Sequence, residues 1–317
     1  MFSFKKEQKV YKIGNVKVGG QPGENPTVLI GTMFYSGHKI VQNRKKGEFD
    51  KERAAELIKT QEELSKQTGI PCMLDVVAIL PEEYEVYLDF VTSITDMPIV
   101  LDAWKIPPKL AGAKYAAEHG LTEKVIYSSI APWSEDIKKE IDAVKQLGLK
   151  NCIVVAYNPA DKTPQGRVNI LKESLLQNAR DAGFENILID TSNLNIPTLA
   201  FNLLANYKVK EEFGLPVGCA PSNGTDMWKM PKQVWGKMGF AGVDSGCHAI
   251  ASILWNDFLL YGPIESAPWI FPAVATANTI LSTLVYTETQ KLPSDPNNPL
   301  NKLFPEFLNE LKGLSHN

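Results

Sequence analysis

The sequence predicts a (β/α)8 barrel, and three observations carry that expectation. Eight short apolar runs alternate with helical stretches along the chain. The runs are apolar throughout, as strands of a parallel sheet covered on both faces must be. Six of them stop at a polar residue: Asp75, Asp102, Ser128, Asn158, Asp190 and, just past the seventh run, Asn223. Active sites of such barrels lie at the carboxyl-terminal face, where polar strand-end residues read as functional. An open doubly wound sheet shares the alternation, but no glycine fingerprint of the dinucleotide-binding type follows the first run.

The elements follow in order. Alternation over Gln8–Val18 suggests a hairpin that plugs the lower mouth of the barrel. The first strand is Val28–Thr32, followed by a glycine-containing loop with Phe34, Tyr35, His38 and Lys39, then a helix to Thr68 that Asp50 can cap. The second unit pairs the run Cys72–Ala78 with a helix opened by Pro81. The third strand, Ile99–Asp102, leads to a helix that starts at Pro107-Pro108 and ends near Gly120. Val125–Ile130 is the fourth strand, ahead of a helix capped by Ser134 and stopped by Gly148. The fifth, Cys152–Tyr157, meets Asn158-Pro159, and the sixth, Asn186–Asp190, follows a helix closed by Gly183. Leu215–Cys219 and Phe258–Gly262 complete the set. Pro268–Tyr286 reads as a last helix against the barrel, and a proline-rich loop over Pro293–Pro299 precedes a short amphipathic helix.

Length suits one barrel with decorated loops, so residues 1–317 are expected to form a single domain. A formal net charge of -3 gives no sign of a nucleic-acid partner. No apolar run approaches the roughly 20 residues that span a bilayer, and the first six residues lack the apolar core of a signal peptide. A cytoplasmic protein without a membrane segment is therefore expected. The four cysteines suggest no disulfide framework: Cys72 and Cys152 fall inside strands. Cys219 with Cys247-His248 offers zinc-ligand chemistry without the usual ligand spacing.

Three strand-end carboxylates would converge on a ligand with several N–H donors along one edge, and a pterin has that edge. Its 2-amino group and N3–H pair with a carboxylate, and charge assistance makes such bonds roughly twice as strong as neutral ones. Asn158 and Asn223 both donate and accept, which suits ring carbonyl and nitrogen atoms. The competing reading is that these residues merely cap helices. Asp75 and Asp102 lie several residues ahead of their helices, and a carboxylate flanked by apolar residues, as Asp75 is, needs partners or a raised pKa. Asp161-Lys162-Thr163 reads as a capping loop, whereas the loop Pro221–Asp226 lies over the pocket. Ser128 and Ser129 lack the glycine-flanked elbow of a serine hydrolase.

The stretches Gly31–Val41 with Gly47–Asp50, then Gln61-Glu62-Glu63, Ile126–Ile130 and the Asn158 strand end resemble the methyltransferase family typified by MtrH, a component of tetrahydromethanopterin S-methyltransferase. Within it, the nearer resemblance is to the bacterial branch that methylates tetrahydrofolate from methylcobalamin in glycine betaine demethylation. The resemblance implies a pterin-binding barrel, a homodimer, and methyl transfer from methylcobalamin or a protein-bound corrinoid to N5 of tetrahydrofolate. It implies a corrinoid protein docking at the barrel top and no metal bound by this chain. Asp75, Asp102, Ser128, Asn158 and Asp190 would then hold the pterin, and Asn223 would act at N5. Two positions depart from the archaeal pattern of Asp-Ser after the third strand and Tyr-Asn-Ser-Ile in the fourth: here they read Asp102-Ala103 and Tyr127-Ser128-Ser129-Ile130. Zinc-dependent transfer to a thiol through Cys219, Cys247 and His248 stays open at this point, as does a non-catalytic docking platform for a corrinoid protein.

Overall fold

The computed structural model describes residues 2–314. Its centre is a closed parallel barrel of β1 (Val28–Met33), β2 (Cys72–Val77), β3 (Ile99–Asp102), β4 (Val125–Ile130), β5 (Asn151–Val155), β6 (Asn186–Asp190), β7 (Val217–Cys219) and β8 (Phe258–Pro263). Neighbours pair in sequence order, and β8 returns to β1.

Because successive side chains of a strand point to opposite faces, each apolar run serves two cores. Leu29, Leu74, Leu101, Tyr127, Val154 and Ile189 face outward into the main cluster shared with the helices. Their neighbours Ile30, Met73, Val100, Ile126, Ile153, Leu188 and Phe258 fill the barrel interior. Continuous burial on both sides is why these strands read as unbroken apolar runs rather than alternating ones. The antiparallel hairpin Val10–Ile13 with Val16–Gly19 adds Ile13, Val16 and Val18 to that interior cluster and so plugs the lower end. Gly218 contributes no side chain there, since a Cβ would meet the Phe258 ring at 2.6 Å.

The helix Lys51–Thr68 begins at Asp50, whose carboxylate accepts from the Arg53 N–H at 2.9 Å, and closes at Gly69 with φ +79°. Elsewhere the structure departs from expectation. Asp136 rather than Ser134 caps the helix Ile137–Lys145, accepting from Lys139 N–H at 3.2 Å, because it stands at the first turn while the Ser134 hydroxyl donates to Glu140. The loop after β1 carries its own short ladder between Val41–Asn43 and Glu48–Phe49. The segment expected as a loop at Pro221–Asp226 is the helix Pro221–Met227, with proline in its first turn where a missing N–H is harmless.

The last long helix, Ala267–Thr289, exceeds its expected ends, and by length and composition alone it reaches what a bilayer span needs, although it holds no continuous apolar run of that length. The 26-residue stretch Ile264–Thr289 contains 18 consecutive residues of mean hydropathy 1.3, long and apolar enough by length and composition to cross a membrane, with 56% of that window buried in this fold. Interspersed Thr, Ser and Asn break up its apolar runs and conceal it in the sequence. In this fold Ile270, Phe271 and Val274 pack into the main core, and Leu281 and Val285 close over Phe2.

Candidate active site

The same strand parity that fills the barrel interior places a polar layer above it. Two residues beyond Ile30, Met73, Val100, Ile126 and Leu188 along their strands come Thr32, Asp75, Asp102, Ser128 and Asp190. All five line one cavity of about 740 Å³ at the carboxyl-terminal end, within the range of a drug-sized ligand site. An inward-facing side chain is not available to cap the next helix, so the capping alternative falls for these residues.

The three carboxyls have different surroundings. Asp75 is buried, and its Oδ1 has no hydrogen-bond partner among the described residues. Burial first, and the neighbouring Asp102 second, push it well above the usual carboxylate range, with Thr32 opposing. Asp102 is pushed up to about 6 by burial, against the pull of the Lys109 ammonium and the Ser128 hydroxyl. Asp190 also reaches about 6 through burial, opposed first by the Ser192 N–H, which donates to its Oδ1 at 2.7 Å. Of the three, Asp75 therefore holds its proton most tightly, while Asp102 and Asp190, at about 6, ionise more readily.

Lys109 is a site residue that sequence reasoning missed. It lies in the helix Ile106–Glu118, is buried at the cavity wall, donates to the Ser129 carbonyl at 2.9 Å and pairs with Glu140. Glu140 also accepts from Tyr127 Oη at 2.6 Å and from Ser134. A buried ion pair with every partner satisfied fixes the ammonium in place. Asn193, also unforeseen, is buried on the lining with its Nδ2 unpartnered among the described residues. Trp104 and Trp133 stack at the mouth with ring centroids 5.1 Å apart.

Tyr35, from the loop after β1, lines the cavity and stacks on His38 at 4.4 Å. His38 Nδ1 accepts from the Phe34 N–H at 2.9 Å, leaving its ring proton on Nε2, which faces Glu265 Oε1 at 3.1 Å. Arg44 donates to the carbonyls of Phe34 and Tyr35 at 2.6 and 2.7 Å. The Gly-His-containing stretch of this loop therefore works by holding the loop's shape.

Asn158 does not join the lining. Its carboxamide oxygen accepts from Ala160 and Asp161 N–H at 3.0 and 3.2 Å, turning its own loop. Strand parity explains this, because Ile153, Val155 and Tyr157 are the inward set of β5 and Asn158 is out of phase with them. Asn223 lines the cavity from the exposed side of Pro221–Met227. The zinc set does not assemble: no group of three potential ligands of the His, Cys, Asp or Glu type occurs among the described residues. Cys219 faces the barrel-to-helix core and His248 Nδ1 is engaged by the Asp244 carbonyl at 2.8 Å.

The family profile described as tetrahydromethanopterin S-methyltransferase MtrH subunit matches residues 6–290. The chain belongs to the MtrH family. The MtrH relative from Methanopyrus kandleri, a component of tetrahydromethanopterin S-methyltransferase, is 42% identical over 296 residues, covering 87% of this chain and 91% of that one. The MtrH relative from Methanosarcina mazei is 35% identical over 317 residues, covering 96% and 100%. Membership in the MtrH family makes the chain a methyltransferase. Among solved structures, Yersinia pestis dihydropteroate synthase in a sulfonamide drug complex aligns with a TM-score of 0.59 over 89% of this chain and 100% of that one. Its 14% identity makes this a likeness of fold alone.

Proposed function

We propose that this MtrH-family protein transfers a methyl group from a methylcorrinoid, methylcobalamin or a corrinoid protein, to N5 of tetrahydrofolate, giving 5-methyltetrahydrofolate and cob(I)alamin. The observation that carries the reading is the inward ring of Asp75, Asp102 and Asp190, with one buried oxygen left unpaired. An unpaired buried polar atom costs about 1–3 kcal/mol until a ligand satisfies it. An ionised Asp102 accepts the paired N–H donors of the pyrimidine edge, and Asp75, which burial and Asp102 make the more reluctant to ionise, donates to a ring acceptor. The relatives' names carry tetrahydromethanopterin, which shares that edge. Ala103 and Ser128 depart from the archaeal pattern beside the carboxyls, and the acceptor assay below separates the two pterins.

With the pyrimidine edge at the floor, the pyrazine ring that carries N5 lies toward the mouth of the cavity that Asn223 lines. The N5–carbon bond forms as the cobalt–carbon bond breaks, and its electron pair stays on cobalt. Positioning supplies most of the acceleration. Asn223 holds N5 through a carboxamide that donates or accepts as protonation changes. The carboxylate nearest in sequence, Asp226, is engaged by Lys232 at 2.7 Å, so the proton shed by N5 leaves through water.

The test mixes purified protein with methylcobalamin and tetrahydrofolate, following the visible spectrum for cobalt(I) and assaying 5-methyltetrahydrofolate. Both products are expected together. Turnover with tetrahydromethanopterin alone would move the acceptor to the relatives' pterin, and binding without turnover would leave the docking-platform reading.

A further inference from the structure

Resting on the pterin reading, the mouth of the cavity offers a second feature. Trp104, Trp133 and Tyr157 stand on the consecutive loops that follow β3, β4 and β5, and all three line the cavity. The two indoles stack at 5.1 Å with an interplanar angle of 11°, and Trp133 meets Tyr157 edge-on at 6.5 Å and 62°. Trp104 is nonetheless 75% exposed. One face of its ring is backed by Trp133, and the other is left to solvent at the rim of the cavity.

A pterin has its 2-amino, N3–H edge at one end and the C6 substituent at the other. Fixing the first end on the carboxyl floor directs the second out through the mouth. In tetrahydrofolate that substituent is an arylamine on a one-carbon arm, a flat ring that would leave the cavity at the height of the loops. We propose that Trp104, backed by Trp133, is a stacking subsite for the aryl group of the pterin's tail. Seating the tail on this lip leaves the opposite lip, where Asn223 lies, free for the methyl donor. The subsite distinguishes pterins by what they carry at C6, a selection the carboxyl floor cannot make.

The experiment measures equilibrium affinities of tetrahydrofolate and of tail-less 6-methyltetrahydropterin for the wild type, Trp104→Ala and Trp104→Phe. Aromatic stacking of this kind is worth about tenfold in affinity. Trp104→Ala is expected to weaken tetrahydrofolate by about that factor, to leave 6-methyltetrahydropterin within about twofold, and to leave the KM for methylcobalamin unchanged, with Trp104→Phe recovering most of the loss. Equal losses for both pterins, no loss for either, or a raised KM for methylcobalamin instead would overturn the subsite. If the wild type binds neither pterin, the pterin reading fails first and the subsite with it.

Discussion

Asp75, Asp102 and Asp190 are chemically identical side chains around one cavity, yet their surroundings raise their pKa values to different extents. Two of them reach about 6 because burial penalises the ionised form. A carboxyl whose folded pKa lies above its unfolded value binds more protons in the folded state between those two values. Its burial therefore costs stability increasingly as pH rises through that window, and the cost is fully present above about 6. Asp190→Asn, which keeps the acceptor for Ser192 N–H, is expected to raise the melting temperature at pH 7 by about 2 °C or more. The gain should shrink as pH falls toward 5. A flat difference across that range would contradict the raised pKa. The tetrahydrofolate affinity of the wild type should run the other way, falling as pH drops through 6 and the acceptors protonate. At Asn223, substitution by Ala should lower kcat and kcat/KM together, since a contact made at the reacting nitrogen is strongest in the transition state. An unchanged kcat with a raised KM would assign it to binding alone. Four of the predicted site residues were legible because inward parity and polarity coincide at a strand end, and the same parity test would have removed Asn158. Lys109 was not legible: in Lys109-Leu110-Ala111-Gly112-Ala113-Lys114 both lysines look like solvent-facing charges. Only Glu140, 31 residues on, makes one of them a buried wall.

Among the elements, the helix Lys51–Thr68 shows how a family signature can be structural. Gln61, part of the stretch that resembles the family, is buried; its Nε2 donates to the Met73 carbonyl at 3.1 Å while its Oε1 accepts from Tyr261 Oη. That one side chain joins the helix to β2 and β8 beside Gly31, where an added Cβ would collide with both partners. Gln61→Leu leaves the Tyr261 hydroxyl and the Met73 carbonyl without it. A cost of about 1–3 kcal/mol is expected, seen as a lower denaturation midpoint, with pterin affinity within about twofold. A large loss of affinity at unchanged stability would instead place Gln61 in the site. Element order and strand ends were readable because each strand is a closed apolar run bounded by helix signals. Pro221–Met227 was not, because Pro-Ser-Asn-Gly has loop composition. Gly224 is tolerated in that helix because Asn193 Nδ2 and the Asn195 backbone lie 2.8 and 3.0 Å from where its Cβ would stand.

At the scale of the whole molecule, the barrel is closed by apolar packing below and open to chemistry above. The helices that follow Asn223 carry exposed apolar side chains, Met227, Val234, Trp235 and Met238, the last 84% exposed. They continue from the cavity-lining helix, and exposed apolar side chains beside the cavity mouth offer a partner a surface to cover. If a corrinoid protein docks there, Met238→Glu should reduce the rate with the protein-bound corrinoid several-fold and leave the rate with free methylcobalamin unchanged; equal rates with both would remove the patch from the interface. The central claim is that the carboxyl ring grips a reduced pterin by its pyrimidine edge, with the charge on Asp102 and the proton on Asp75. Calorimetric titration of tetrahydrofolate into the wild type, Asp75→Asn and Asp102→Asn at pH 7 tests it most directly. The wild type should bind one equivalent, Asp75→Asn should stay within about threefold because a neutral amide resembles a protonated acid, and Asp102→Asn should lose at least about tenfold. Equal affinity in all three, or the larger loss at Asp75, would contradict the assignment.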